Sequence, residues 1–152
     1  MTAAFFRGRS RRVAAAFGAV TFGVVALSAC DKPTPLTTLT ADKSEVHSEA
    51  ACYDGKGGIE QSDIADCLGK GGKTLKVPAD GLLHLGVDPK VAKKGWFVAS
   101  GTQRSDVSTR TYRTLSAASF LQQGTDEAKI SIFMVGDKKT YGVWNYTLKN
   151  DN

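Results

Sequence analysis

Histidine, cysteine and long apolar runs are all scarce in this chain, and each shortage closes off a class of chemistry. Of its 152 residues only two are histidine, His47 and His84, and three are cysteine, Cys30, Cys52 and Cys67. Histidine is the commonest acid–base group at neutral pH, and neither copy stands in a familiar catalytic context. A Gly-x-Ser-x-Gly nucleophile elbow is missing, which removes the usual strand–turn–helix serine site. No Cys/His cluster has the spacing of a zinc centre. No apolar stretch reaches the roughly 20 residues that a spanning helix needs; Val13 to Ala29 comes nearest and is weakened by Gly18 and Gly23.

What is present begins at the N-terminus. Arg7, Arg9, Arg11 and Arg12 precede the apolar run, with no acid among them. A positive n-region followed by a short apolar segment is the pattern of a secretory signal. Leu27-Ser28-Ala29-Cys30 then resembles the bacterial lipobox, which implies lipid on the Cys30 sulfur and cleavage before it. Two acyl chains hold a protein stably where one does so only marginally. An ordinary signal peptide with Cys30 there by chance is the plainer alternative. Ser10-Arg11-Arg12 also hints at twin-arginine export, although Ala14 and Ala15 replace the hydrophobic pair that should follow. The expected division is a cleaved signal over 1–29, a lipidated Cys30 with a tether to Leu36, and one domain over 37–152.

Processing also changes the charge. The whole chain carries 20 basic and 15 acidic residues, a net of +5, but four of the basic ones precede Cys30 and no acid does. The remainder holds 16 against 15, a net of +1. That balance gives no reason to expect nucleic acid as a partner. About 120 residues are enough for one domain with its own core. With Cys30 given to lipid, export makes a Cys52–Cys67 disulfide the default.

Along the mature chain, short strand-like runs alternate with polar turns: Leu36–Thr40, Glu45–Ala50, Thr74–Val77, Leu82–Val87, Trp96–Ser100, Thr111–Leu115, Lys129–Val135 and Thr140–Lys149. In the last of these Gly142, Trp144, Tyr146 and Leu148 share one face, and Tyr141, Val143, Asn145 and Thr147 the other. Gly136-Asp137-Lys138-Lys139 reads as the turn of a hairpin. Ile64, Cys67 and Leu68 at i, i+3 and i+4 suggest a helical turn or two that packs the disulfide on the core, capped by Ser62 and stopped at Gly69. Ser116–Gln123 reads as a short helix or bent turn. The expected fold is mainly β: an antiparallel β-sandwich, immunoglobulin-like, with a short helical disulfide-closed insert.

Ala29-Cys30-Asp31-Lys32-Pro33, the Cys52/Cys67 pair, Gly86-Val87-Asp88-Pro89 with Gly95-Trp96, Thr111-Tyr112-Arg113-Thr114 and the closing Trp144 strand together resemble a family of small actinobacterial lipoproteins of unknown function. The resemblance covers nearly the whole mature chain. It implies an address and a fold, and it carries over no catalytic residue.

Several motifs remain as candidates. Cys67-Leu68-Gly69-Lys70-Gly71-Gly72-Lys73-Thr74 nearly spells a phosphate-binding loop, but Cys67 stands where Gly or Ala belongs and a strand, not a helix, is expected to follow. Glu45, His47 and Glu49 alternate on one strand and so share a face that a divalent metal would suit; a solvated sheet edge is the blander reading. A blue-copper set with Met134 as axial ligand would need the cysteines that the disulfide uses. Trp96 and Trp144 read as core. Asp88-Pro89 with Lys90, Lys93 and Lys94 reads as an exposed turn. Asp63, Asp66, Asp88 and Asp106 are the carboxylates available for acid–base work. The expectation is a lipid-anchored, extracytoplasmic, non-catalytic binding or envelope-accessory domain without cofactor, its partners the membrane through Cys30 and an envelope protein or glycan. A cell-envelope enzyme or a divalent-metal-handling protein is the alternative.

Overall fold

The computed structural model describes residues 33–121 and 125–151. The signal segment and Cys30 lie outside the described residues. Among the described residues ten strands form two sheets: β1 (Thr37–Ala41), β2 (Ser44–Ser48), β3 (Cys52–Tyr53), β4 (Lys73–Val77), β5 (Leu82–Val87), β6 (Trp96–Ser100), β7 (Gln103–Arg104), β8 (Tyr112–Ser116), β9 (Glu127–Gly136) and β10 (Lys139–Asn150). Two short helices, α1 (Ile64–Gly69) and α2 (Pro89–Lys94), sit between them. The smaller sheet has the order β2-β1-β5-β8 and the larger the order β3-β10-β9-β6-β7, with β4 also on β10. The expectation of a mainly β protein with antiparallel sheets holds. One pairing departs from it: β4 runs parallel to β10 from Lys73↔Tyr146 to Val77↔Asn150.

The two sheets pack through alternating residues. Leu39, Leu83 and Leu85 point from the smaller sheet at Trp96, Ile130, Ile132, Trp144, Tyr146 and Leu148 of the larger. Both tryptophans are fully buried, and each indole N–H reaches a carbonyl: Trp96 Nε1 donates to Arg110 O at 2.8 Å and Trp144 Nε1 to Pro35 O at 2.9 Å. A buried indole N–H needs such a partner, because leaving it bare costs most of a hydrogen bond. Trp144 lies back along its own strand over Gly142, where a Cβ would stand 2.6 Å from Cη2; only glycine leaves the ring room there.

The larger sheet is covered on its other face as well. Phe133 and Val143 point outward and are capped by Cys52 of β3 and by Ile59, Ile64 and Cys67 of the segment between β3 and β4. Coverage on both faces explains why burial in β9 and β10 runs unbroken through Ile132–Met134 and Tyr141–Tyr146 rather than alternating. The insert is stapled by the Cys52–Cys67 disulfide, whose Cα atoms stand 5.6 Å apart. It is also tied by Asn145, a buried amide in β10. Its Nδ2 donates at 2.7 Å to both Cys67 O and Lys70 O, and its Oδ1 accepts from Ser131 Oγ at 2.8 Å. These bonds tie down the carbonyls at the end of α1, where Cys67 O also accepts from Lys70 N at 3.3 Å.

Four local expectations need correction. A 3₁₀ turn at Gln61–Asp63 precedes α1, so Ser62 is not its cap and instead donates to Asp63 Oδ1. Leu68 is 46% exposed, because Cys67 takes the inward position on a helix of only six residues. Tyr141 packs with the Trp144 side, not with Val143; a bulge between Thr140 and Gly142 inserts one residue and resets the alternation. Asp88-Pro89 opens a helix instead of a turn: Asp88 Oδ1 accepts from Lys90 N at 2.8 Å, Pro89 takes the first turn and Gly95 ends it. Aspartate cap, proline start and glycine stop were all readable in the sequence.

Thr34, Pro35 and Leu36, expected within a tether, are bonded to the body. Thr34 Oγ1 accepts from Ala50 N and Leu36 O from Asp88 N, and Pro35 is buried. Among the described residues no helix is long and apolar enough to cross a membrane.

Candidate functional site

The outer face of the smaller sheet carries both histidines of the chain. Alternation sends Leu39, Leu83 and Leu85 inward, so their neighbours face solvent. Strand registers arrange these neighbours in two rows. One runs Glu45, Thr40, His84, Thr114; the other runs His47, Thr38, Gly86, Tyr112. The Tyr112 side is 54% exposed. Its hydroxyl lies 2.6 Å from His84 Nδ1, and Thr114 Oγ1 lies 3.1 Å from the same nitrogen and 3.3 Å from the tyrosine hydroxyl.

The Tyr112 and His84 rings are inclined by only 14°, with centroids 5.9 Å apart. An O–N contact of 2.6 Å is shorter than the roughly 3.5 Å that separates stacked carbon atoms, so the rings meet edge to edge rather than face over face. Together they make one nearly flat platform two rings wide. Gly86 sits opposite Tyr112 and leaves the surface open beside it, since even a Cβ there would touch nothing nearer than Thr38 Cβ at 3.8 Å. Where Tyr112 donates to Nδ1, the imidazole proton resides on Nε2 and points away from the triad. Hydroxyls of Thr38, Thr40 and Thr114, which both donate and accept, border the rings. Such a surface can stack an apolar face and bind hydroxyls around it.

The metal candidates fall on the same sheet. Glu45 and His47 are exposed on β2, and Glu49 is exposed just beyond its end. Among the described residues no three His, Cys, Asp or Glu side chains gather as a metal-binding group. Met134 is buried in the core, while Cys52 and Cys67 are joined to each other. The phosphate-loop candidate runs from α1 through Gly71 and Gly72 into strand β4; with no helix after the glycines, it has no N-terminal amides to aim at phosphate. Of the aspartates, Asp88 caps α2 and Asp63 accepts from Ser62. Asp63 and Asp66 line a groove of about 650 Å³ beside the disulfide, with Asp54 and Glu60. The Asp54 carboxyl is held below its ordinary range by the Lys56 and Gly57 amides, so its charge is spent on shaping that loop.

A second groove, of about 570 Å³, crosses the other side of the insert. Phe97 and Phe133 form its floor as a stacked pair 5.0 Å apart. Lys94, Arg104, Lys138 and Lys139 line it. The Arg104 guanidinium lies 5.2 Å from the Phe97 ring, and Lys94 Nζ 3.8 Å from that of Tyr141. A hydrogen bond with the Tyr141 hydroxyl, with Asp137 nearby, holds the Lys94 ammonium above its ordinary pKa.

No family model, curated protein or solved structure matches this chain. Its function is therefore argued from its own surface. In the sequence Thr111–Leu115 reads only as a strand-like run. The signal for the platform was the pair Thr38-x-Thr40 and Tyr112-x-Thr114, polar positions that include one large ring; that these two strands flank His84 is a matter of topology.

Proposed function

We propose that this chain is a lipid-anchored, extracytoplasmic binding domain without catalytic activity, and that it lays an envelope glycan on the Tyr112–His84 platform. The observation that carries the reading is the exposed Tyr112 ring, bonded edge to edge to His84 on the open face of the smaller sheet. The C–H face of a sugar ring is apolar and packs on an aromatic surface, while its hydroxyls meet the threonines, His84 Nε2 and Glu45. Address rests on Leu27-Ser28-Ala29-Cys30, and the family resemblance to small actinobacterial lipoproteins agrees with it. Two packed antiparallel sheets support an immunoglobulin-like arrangement, in which sheet faces are free for recognition. The paired cysteines suit an oxidising compartment.

Two tests separate address from ligand. Radiolabelled fatty acid should mark the wild type and be absent from Cys30→Ala; label retained on the variant overturns the anchor. For the ligand, the domain is titrated with peptidoglycan fragments and neutral oligosaccharides. Tyr112→Ala should weaken binding about tenfold, the worth of roughly 1–1.5 kcal/mol of ring contact, with melting unchanged. Tyr112→Trp should retain it. Glycan affinity indifferent to Tyr112→Ala rejects the platform.

A further inference from the structure

We infer that α2 and the neighbouring β9–β10 turn form a membrane-facing surface that rests on anionic phospholipid headgroups. The inference depends on the proposed lipid at Cys30. It begins with the chain leaving that cysteine. Thr37 meets Tyr146, Pro35 meets Trp144, and Thr34 meets Ala50, whose neighbour Ala51 bonds Val143 O. Each step back along the chain is thus a step back along β10, toward the β9–β10 turn. The stretch from Cys30 to Thr34 spans at most about 14 Å when extended. With Thr34 fixed to the body, a lipid on Cys30 has little slack, and this end of the sandwich is the end brought to the bilayer.

The charges here fit such a neighbour. α2 starts beside the tether, with Asp88 N bonded to Leu36 O, and ends where Gly95 O accepts from Val135 N. Lys90 and Lys93 are exposed on it, and the Lys94 side chain passes over Gly136 to the turn that holds Lys138 and Lys139. Three carboxylates stand among these five cations, Asp54 beside Lys139 being one. Asp88 caps α2, and Asp137 pairs with Lys94 at 3.5 Å. Glu49 lies across the tether on the β2 side. At the opposite end Asp42, Asp80, Asp126, Glu127 and Asp151 outnumber Lys43, Lys76 and Lys149, and two of those lysines are paired, Lys76 with Asp151 and Lys149 with Glu127. Leu36, 45% exposed beside the tether, supplies an apolar contact at the same surface. A lipid chain joined by a basic patch is a recognised route to firm anchoring.

The test uses two forms of the protein. The chain from Cys30 onward with Cys30→Ser contains the whole core and disulfide described above, and is sedimented with phosphatidylcholine vesicles with and without 40 mol% phosphatidylglycerol. Binding should require phosphatidylglycerol and fall with salt. Lys90→Gln/Lys93→Gln/Lys138→Gln should weaken it roughly a hundredfold, at about fivefold per lysine, with melting unchanged. The full lipidated chain on the same anionic vesicles is then treated with an amine acylating reagent. Lys90, Lys93 and Lys138 should be protected relative to Lys43 and Lys76. Equal sedimentation with both vesicle types, or equal labelling at both ends of the sandwich, overturns the surface. Absence of fatty-acid label on the full chain instead overturns the anchor, and the sedimentation result stands apart from it.

Discussion

Replacing Tyr146 by phenylalanine should destabilise the domain at neutral pH and yet make it more resistant to alkali. Tyr146 is 1% exposed, and its hydroxyl joins the two sheets: it donates to Thr37 O at 2.7 Å and accepts from Thr37 Oγ1 at 2.6 Å. Tyr146→Phe keeps the ring and leaves the buried Thr37 hydroxyl without this partner, a loss of about 1–3 kcal/mol. Burial, the largest influence, pushes the phenol from its ordinary value of 10.0 up to about 12. The folded chain therefore holds this proton more tightly than the unfolded chain. The stabilisation is fully present below pH 10 and is lost as pH rises through about 12. Within that window the wild type loses about 1.4 kcal/mol per pH unit relative to the variant. A gap of about 2 kcal/mol at pH 8 should shrink to less than about 1 kcal/mol at pH 11. Urea unfolding followed by tryptophan fluorescence at both pH values measures it, with every other side chain common to the two proteins. An identical gap at pH 8 and pH 11 would refute the reasoning.

Two further predictions concern local structure. Cys52→Ala opens a link across 15 residues and should cost about 3 kcal/mol, seen as a lower melting temperature that a reductant no longer changes; an unaltered melting temperature contradicts the stapling role. Lys138→Gly should stabilise by about 1 kcal/mol, since Asp137 and Lys138 both adopt positive φ, 49° and 61°, in a turn that favours glycine. Loss of stability on that change would show that Lys138 makes a contact worth more than the backbone relief.

Most of the strands were legible because their patterns are local. Leu82–Val87 and Trp96–Ser100 match the observed β5 and β6 at both ends. Other strands were misplaced by one or two residues, and β3 and β7, two residues each, left no periodicity to read. The parallel β4–β10 pair was invisible, since it depends on the insert carrying the chain across the sheet and not on anything within Lys73–Val77. Tyr141 was assigned to the wrong face because a bulge has no signature of its own in an alternating run. Asn145 read as an ordinary surface position on the Val143 face; its burial follows from the carbonyls of α1 that arrive from far along the chain. The candidate site was readable only in parts. Tyr112 and His84 are 28 residues apart, and nothing in either neighbourhood announces that their rings lie flat together.

β10 comes last among the described strands, yet β3, β4 and β9 all pair with it. Cys52 and Tyr53 must wait for partners about ninety residues further on, at Val143 and Gly142. Until that strand is delivered, the leucines of the smaller sheet face no Trp144, Tyr146 or Leu148, and the core stays open. Long-range pairing of this kind makes folding slow and late. A growing chain would therefore lack a closed core nearly to its end. During that interval Cys52 and Cys67, close in sequence, are free to meet; once the final strand docks, Cys67 is 1% exposed and the thiol is out of reach of an oxidant.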